Sequence, residues 1–137
     1  LSACFAPKQC KTAKSLLVMP VASSTGSTGL EFGKSFQVEL KRELAEKFKK
    51  LNITDNSADD SDLIIRLVVV NYSNPVFSDS LVSSGTGDVE MSVRIFDSKG
   101  SFLREVYIMR DLKKGNKDDV LASIVKEAVK FIDDKCL

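Results

Sequence analysis

The spacing of apolar residues changes several times along the chain, and each change marks an element. Leu16-Leu17-Val18-Met19-Pro20-Val21 is a short continuous apolar run. It predicts a strand, and Pro20, which has no N–H to give a ladder, predicts that this strand lies at an edge or stops there. The polar, glycine-rich stretch Ser23 to Gly29 reads as a loop leading into a helix. From about Leu30 to Lys50 the apolar residues Phe36, Leu40, Leu44 and Phe48 recur every fourth position, flanked by Val38, Ala45 and Leu51. This spacing predicts one amphipathic helix whose interleaved Lys and Glu form a solvated face. Asn52-Ile53-Thr54-Asp55-Asn56 reads as its tail, and Asp59-Asp60-Ser61-Asp62 leads into the next strand.

Leu63 to Tyr72 is almost continuously apolar, broken by Arg66, which predicts a central strand covered on both faces for most of its length. Beyond Gly87 the period becomes two. Val89, Met91, Val93 and Ile95 point one way, and Asp88, Glu90, Ser92 and Arg94 point to a wet face. Asp97-Ser98-Lys99-Gly100 predicts a hairpin turn, with Phe102 to Met109 returning antiparallel. Asn116-Lys117-Asp118-Asp119 predicts the cap of a second helix, its acids meeting the positive end of the dipole. Leu121, Ile124, Val125, Ala128 and Ile132 form that helix's buried stripe.

The order strand-helix-strand-strand-strand-helix predicts an α/β two-layer sandwich, a mixed, mostly antiparallel sheet with two helices on one face. One such domain is expected over 14–137, with 1–13 as a leader remnant and linker. With 137 residues, 43% of them apolar and 28% charged, the chain has the composition of a globular domain.

Charge and chemistry-bearing residues narrow the function by exclusion. Lys and Arg number 20 against 19 Asp and Glu. No basic excess exists for tracking phosphates, so no nucleic-acid partner is expected. Histidine is absent, which removes Ser-His-Asp and Cys-His nucleophile activation and most zinc sites. No catalytic residues, cofactor or metal are expected, and the protein is not expected to be an enzyme. Gly33-Lys34-Ser35 supplies the ending of a phosphate-binding loop, but the first glycine of that pattern would fall at Thr28. No nucleotide is therefore expected.

The three cysteines stand at 4, 10 and 136. Leu1-Ser2-Ala3-Cys4 resembles the lipobox of bacterial lipoproteins, in which the cysteine thiol receives a diacylglycerol. The resemblance implies a lipid anchor at Cys4, a signal peptide removed before it and an outer-membrane address facing the periplasm; the alternative is a small buried hydrophobe. Taking Cys4 for lipid leaves Cys10 and Cys136, either as two thiols or as a disulfide joining the ends of the domain in an oxidising compartment. Such a bridge would contribute about 4–5 kcal/mol in the chain-entropy description.

The segments "SLLVMPV", "LAEKFKKLNI", "ADDSDLIIRLVVVNY" and "SSGTGDVEMSVRIFDSKGSFLREV" resemble envelope lipoproteins whose fold is similar to the TolB N-terminal domain, among them LpoB and CsgG. That resemblance spans about 14–134 and implies a non-catalytic adaptor or assembly factor on an envelope protein complex. An LptE-like lipopolysaccharide-binding lipoprotein or small-ligand carrier is the alternative. The stretch 73–85 is long for a connection inside a compact domain and carries Val76, Phe77, Leu81 and Val82. Either these extend the flanking strands and pack on the core, or they form a patch that docks the partner.

Overall fold

The computed structural model describes residues 13–54, 61–73, 86–113 and 115–135. In chain order the elements are β1 (Ser15–Val18), β2 (Ala22–Ser23), α1 (Ser27–Lys47), β3 (Asn52–Thr54), β4 (Leu63–Ser73), β5 (Thr86–Asp97), β6 (Phe102–Lys113) and α2 (Lys117–Lys135). Along the sheet the order is β3-β1-β4-β5-β6, with β2 paired to β4. The short pairings of β1 with β3 and β4, and of β2 with β4, are parallel, whereas the long β4–β5 and β5–β6 ladders are antiparallel. The sheet is thus mixed, as expected, and most of its ladder is antiparallel.

Both helices cover one face of this sheet. Leu16 and Val18 from β1, Leu63, Ile65, Leu67 and Val69 from β4, and Val89, Met91, Val93 and Ile95 from β5 form one core with Phe32, Phe36, Leu40 and Leu44 of α1. Ile124, Val125, Ala128 and Ile132 of α2 close it over Ile108 and Leu112 of β6. A register shift between Val69 and Asn71 re-aims the end of β4. Tyr72 thereby points into the core, its ring centroid 5.2 Å from that of Phe32.

Several boundaries differ from the expected ones. α1 begins at Ser27, inside the glycine-rich stretch, and stops at Lys47. Its early turns include Gly29 and Gly33, both on the buried face. A Cβ on Gly33 would lie 2.7 Å from Val21 Cγ2 and 2.8 Å from Val69 Cγ2. The glycines that resemble a phosphate loop therefore let the helix lie close to the sheet, and that gain outweighs glycine's low helix propensity. The presumed helix tail, Asn52–Thr54, is instead β3, because its backbone finds a partner in β1. Of the two outcomes expected at Pro20 the second holds: β1 ends at Val18, just before it, and sits between β3 and β4 and not at an edge. α2 does begin at Lys117 with Asp118 and Asp119 in its first turn, as expected, and the Asn116 carbonyl accepts from the N–H of Val120 at 2.9 Å; the Asn116 Oδ1 accepts from the N–H of Lys113 at 2.7 Å, closing the turn that leads into α2.

The hairpin joining β5 to β6 matches its expected position. Asp97 Oδ1 accepts from the N–H groups of Lys99 and Ser101, and Gly100 takes φ 87°, a conformation that glycine adopts without strain.

Candidate functional site

The face of the sheet opposite the helices is the candidate site. Sequence periodicity predicted that β4 would be covered on both faces. In the structure Leu63, Ile65, Leu67 and Val69 are buried beneath the helices, while Ile64 and Val68 are half-buried and Arg66 is exposed. β4 is central because it has strand neighbours on both sides, but among the described residues only one of its faces carries a helix layer. A continuous apolar run is compatible with either arrangement, so periodicity alone could not separate them.

Register lays out the open face row by row. Ile64 stands opposite Phe96, Arg66 opposite Arg94, and Val68 opposite Ser92. The next row sets Phe96 against Phe102, Arg94 against Glu105, Ser92 against Tyr107, and Glu90 against Met109. Phe96 and Phe102 meet edge to face, with ring centroids 5.9 Å apart. Phe102, Tyr107 and Met109 are 56%, 51% and 61% exposed, large side chains that a merely solvated strand does not need. Ser92, expected on a wet face, is only 2% exposed, and its Oγ donates to Glu105 Oε2 at 3.1 Å. A half-buried polar centre is thus flanked by apolar side chains.

Charge on this face is arranged around Glu105. Two arginines, Arg66 and Arg94, lie side by side in the ladder, a repulsive pairing if left alone. The Arg94 guanidinium forms an ion pair with the Glu105 carboxylate. The hydrogen bond from Arg94 holds the Glu105 carboxyl below the usual glutamate range, helped by the Ser92 hydroxyl and opposed by burial. A carboxylate with a depressed pKa stabilises the folded state above the unfolded value of about 4.3, and that contribution is lost as pH falls through the lower folded value. The melting temperature of the wild type is accordingly expected to fall more steeply below about pH 4.5 than that of Glu105→Gln. Parallel thermal melts across pH 3–6 check this, and curves of equal slope would contradict it.

Elsewhere the described surface offers shallow, charged depressions. One, of about 610 Å³, runs between α1 and α2 and is lined by Glu43, Glu46, Lys126, Lys130 and Asp134, among others. Another, of about 370 Å³, includes Ala13, Lys14, Lys47, Phe48 and Lys50. Lys47 Nζ also lies 3.2 Å from Asp133 Oδ2. Among the described residues there is no group of three or more Cys, Asp or Glu placed to hold a metal, and no helix long and apolar enough to cross a membrane.

Cys4, Cys10 and Cys136, and the segment carrying Val76, Phe77, Leu81 and Val82, lie outside the described residues. The residues that sequence reasoning missed are Ile64, Val68, Phe96, Phe102, Tyr107 and Met109. A signal was available in β6, where Tyr107 and Met109 interleave with Val106 and Ile108. That strand is apolar at both parities, although it has no second layer of helices.

No protein-family model matches the chain, and no curated protein matches it. Solved structures do share its fold. The PelC L103M dodecamer from Paraburkholderia phytofirmans is 15% identical with a TM-score of 0.66, covering 87% of this chain and 86% of that one. The hypothetical protein CT253 from Chlamydia trachomatis is 14% identical with a TM-score of 0.55, covering 88% of this chain and 98% of that one. At such identities the likeness is one of fold: the chain has a two-layer α/β architecture that these bacterial proteins also have.

Proposed function

We propose that the protein is a non-catalytic envelope lipoprotein, an adaptor or assembly factor anchored through Cys4 that docks a protein partner with the open face of its sheet. The observation that carries this reading is the uncovered face bearing Phe102, Tyr107 and Met109, with a polar centre at Ser92, Arg94 and Glu105. Protein contacts favour this mixture of aromatic, Met and Arg side chains. Support for an envelope assembly comes from the resemblance of Leu1-Ser2-Ala3-Cys4 to a lipobox and from the sequence resemblance to the TolB-like lipoproteins.

Val76, Phe77, Leu81 and Val82, which connect β4 to β5 in sequence, are proposed as a second part of the contact. A bridge between Cys10 and Cys136 is proposed from the cysteine count, since an anchor at Cys4 leaves these two as an even pair. An adaptor is favoured over an LptE-like lipid or small-ligand carrier because core side chains occupy the interface between sheet and helices. A carrier requires an apolar cavity there.

The test is capture of envelope partners by the membrane-anchored chain. Phe102→Ser combined with Tyr107→Ser is expected to reduce capture at least tenfold while shifting the melting temperature by no more than a few degrees, since both side chains are exposed in the isolated chain. Wild-type capture by the folded double variant would overturn the reading.

A further inference from the structure

We propose that β6 pairs with β6 of a second copy, antiparallel, across a two-fold axis at Met109. The proposal rests on the reading of this side of the molecule as a docking surface and names one partner for it. β6 runs for 12 residues and pairs, among the described residues, only with β5. An edge of that length presents a row of unpaired N–H and C=O groups, and proteins usually blunt such an edge with proline, a short strand or inward-pointing charge. β6 contains no proline. Its inward-pointing Arg110 is held by α2, donating to Ser123 Oγ at 3.0 Å and pairing with Glu127. That charge is neutralised on the helix side and does not guard the edge.

The side chains of β6 select both the occupant and the register. With each face kept continuous, only residues of equal parity can stand opposite one another. Centring the axis on Tyr107 sets Arg104 against Arg110, and centring it on Ile108 sets Glu105 against Asp111; both are repulsive. Centring it on Val106 sets no opposite charges together. With Met109 on the axis, Glu105 of each strand faces Lys113 of the other, Val106 faces Leu112, and Tyr107 faces Asp111. The strand is thus complementary to its own reverse at one register. The main-chain ladder would run from Val106 to Leu112, because the N–H and carbonyl of Lys113 are already engaged with Asn116 at 2.7 and 3.1 Å; the Glu105 and Lys113 side chains would meet just beyond each end of it. Pairing in this way makes one continuous sheet with the described helices of both copies on one side and two open faces side by side on the other. A short edge contact of this kind is small for a stable interface, so association is expected at roughly 100 µM protein and not at nanomolar concentrations.

The experiment uses the full chain in two isotopic forms, mixed and treated with a zero-length carbodiimide. Residues 105 and 113 of one strand are about 26 Å apart, so a Glu105–Lys113 cross-link can form only between copies. A mixed-isotope cross-linked peptide is expected, together with a dimer by sedimentation. Glu105→Lys and Lys113→Glu should each weaken self-association at least tenfold, since each sets like charges opposite one another. Mixed together, the two variants should dimerise with each other, because both ion pairs are then restored. Lys99→Glu, which makes the same charge change in the hairpin turn, should not rescue Glu105→Lys. Absence of the inter-copy cross-link, single variants that self-associate at wild-type strength, or a mixture that stays monomeric would each overturn the proposal. A monomeric chain that still loses capture on replacement of Phe102 and Tyr107 would overturn the β6 pairing alone. An intact dimer whose capture ignores those residues would overturn only the docking reading.

Discussion

Gly33→Leu is expected to lower stability by about 3 kcal/mol, although leucine is the better helix former by roughly 0.8 kcal/mol. The sign follows from what surrounds the position. Gly33 sits on the buried face of α1, where the first carbon of any side chain meets Val21 Cγ2 at 2.7 Å and Val69 Cγ2 at 2.8 Å. Real Cβ atoms do not approach other carbons so closely, so the helix must move off the sheet or the valines must leave their rotamers. Moving the helix would also disturb Phe32, Phe36 and Leu40, which are fully buried along the same stripe. For a chain of this size, a loss of that magnitude corresponds to a fall in melting temperature of about 10 °C. Val38→Ala provides the contrast: Val38 lies on the same helix but is 64% exposed, and its replacement is expected to stay within about 0.5 kcal/mol. Thermal melts of the two variants distinguish close packing from simple propensity. A Gly33→Leu variant as stable as the wild type would show that the close approach of helix and sheet is dispensable.

Cys4→Ser is expected to have the largest effect on location, moving the protein from the membrane fraction to the soluble periplasm. The physical reason is the cumulative effect of acyl chains. Each buried methylene contributes about 0.8 kcal/mol, so that one chain binds a bilayer reversibly and two or three hold it stably. Nothing among the described residues substitutes for such an anchor as a spanning helix. β1, the first described element, begins at Ser15, and the substitution is expected to leave the melting temperature unchanged. Metabolic labelling with a palmitate analogue is expected to mark the wild type and not Cys4→Ser. Equal labelling of both would refute acylation at that residue.

Much of the fold was legible before the structure. Strict alternation from Val89 to Ile95 placed β5 with its buried face correct, because a period of two admits one strand reading when one face is apolar. The four-residue spacing of Phe36, Leu40 and Leu44 and the stripe Ile124, Val125, Ala128 and Ile132 gave both helices for the same reason. Short elements were not legible. β2 and β3 have no periodic pattern of their own and exist because a longer strand offers them hydrogen bonds. The bulge in β4 was equally invisible: it inserts one residue, and Tyr72 reaches the core only because the register shifts there.

The candidate site divides along the same line. The sequence by itself determined the local periodicities, the absence of histidine and hence of the commonest catalytic arrangements, and the lipobox resemblance at Cys4. These are properties of single residues and near neighbours. Only the tertiary structure decided which face of β4 is left without helices, that Arg66 and Arg94 stand together with Glu105 beside them, and that β6 is the long edge. Those facts depend on strand order and on the side of the sheet that both helices choose. An apolar run carries neither, because it is buried equally well by a helix, by a second sheet or by another molecule.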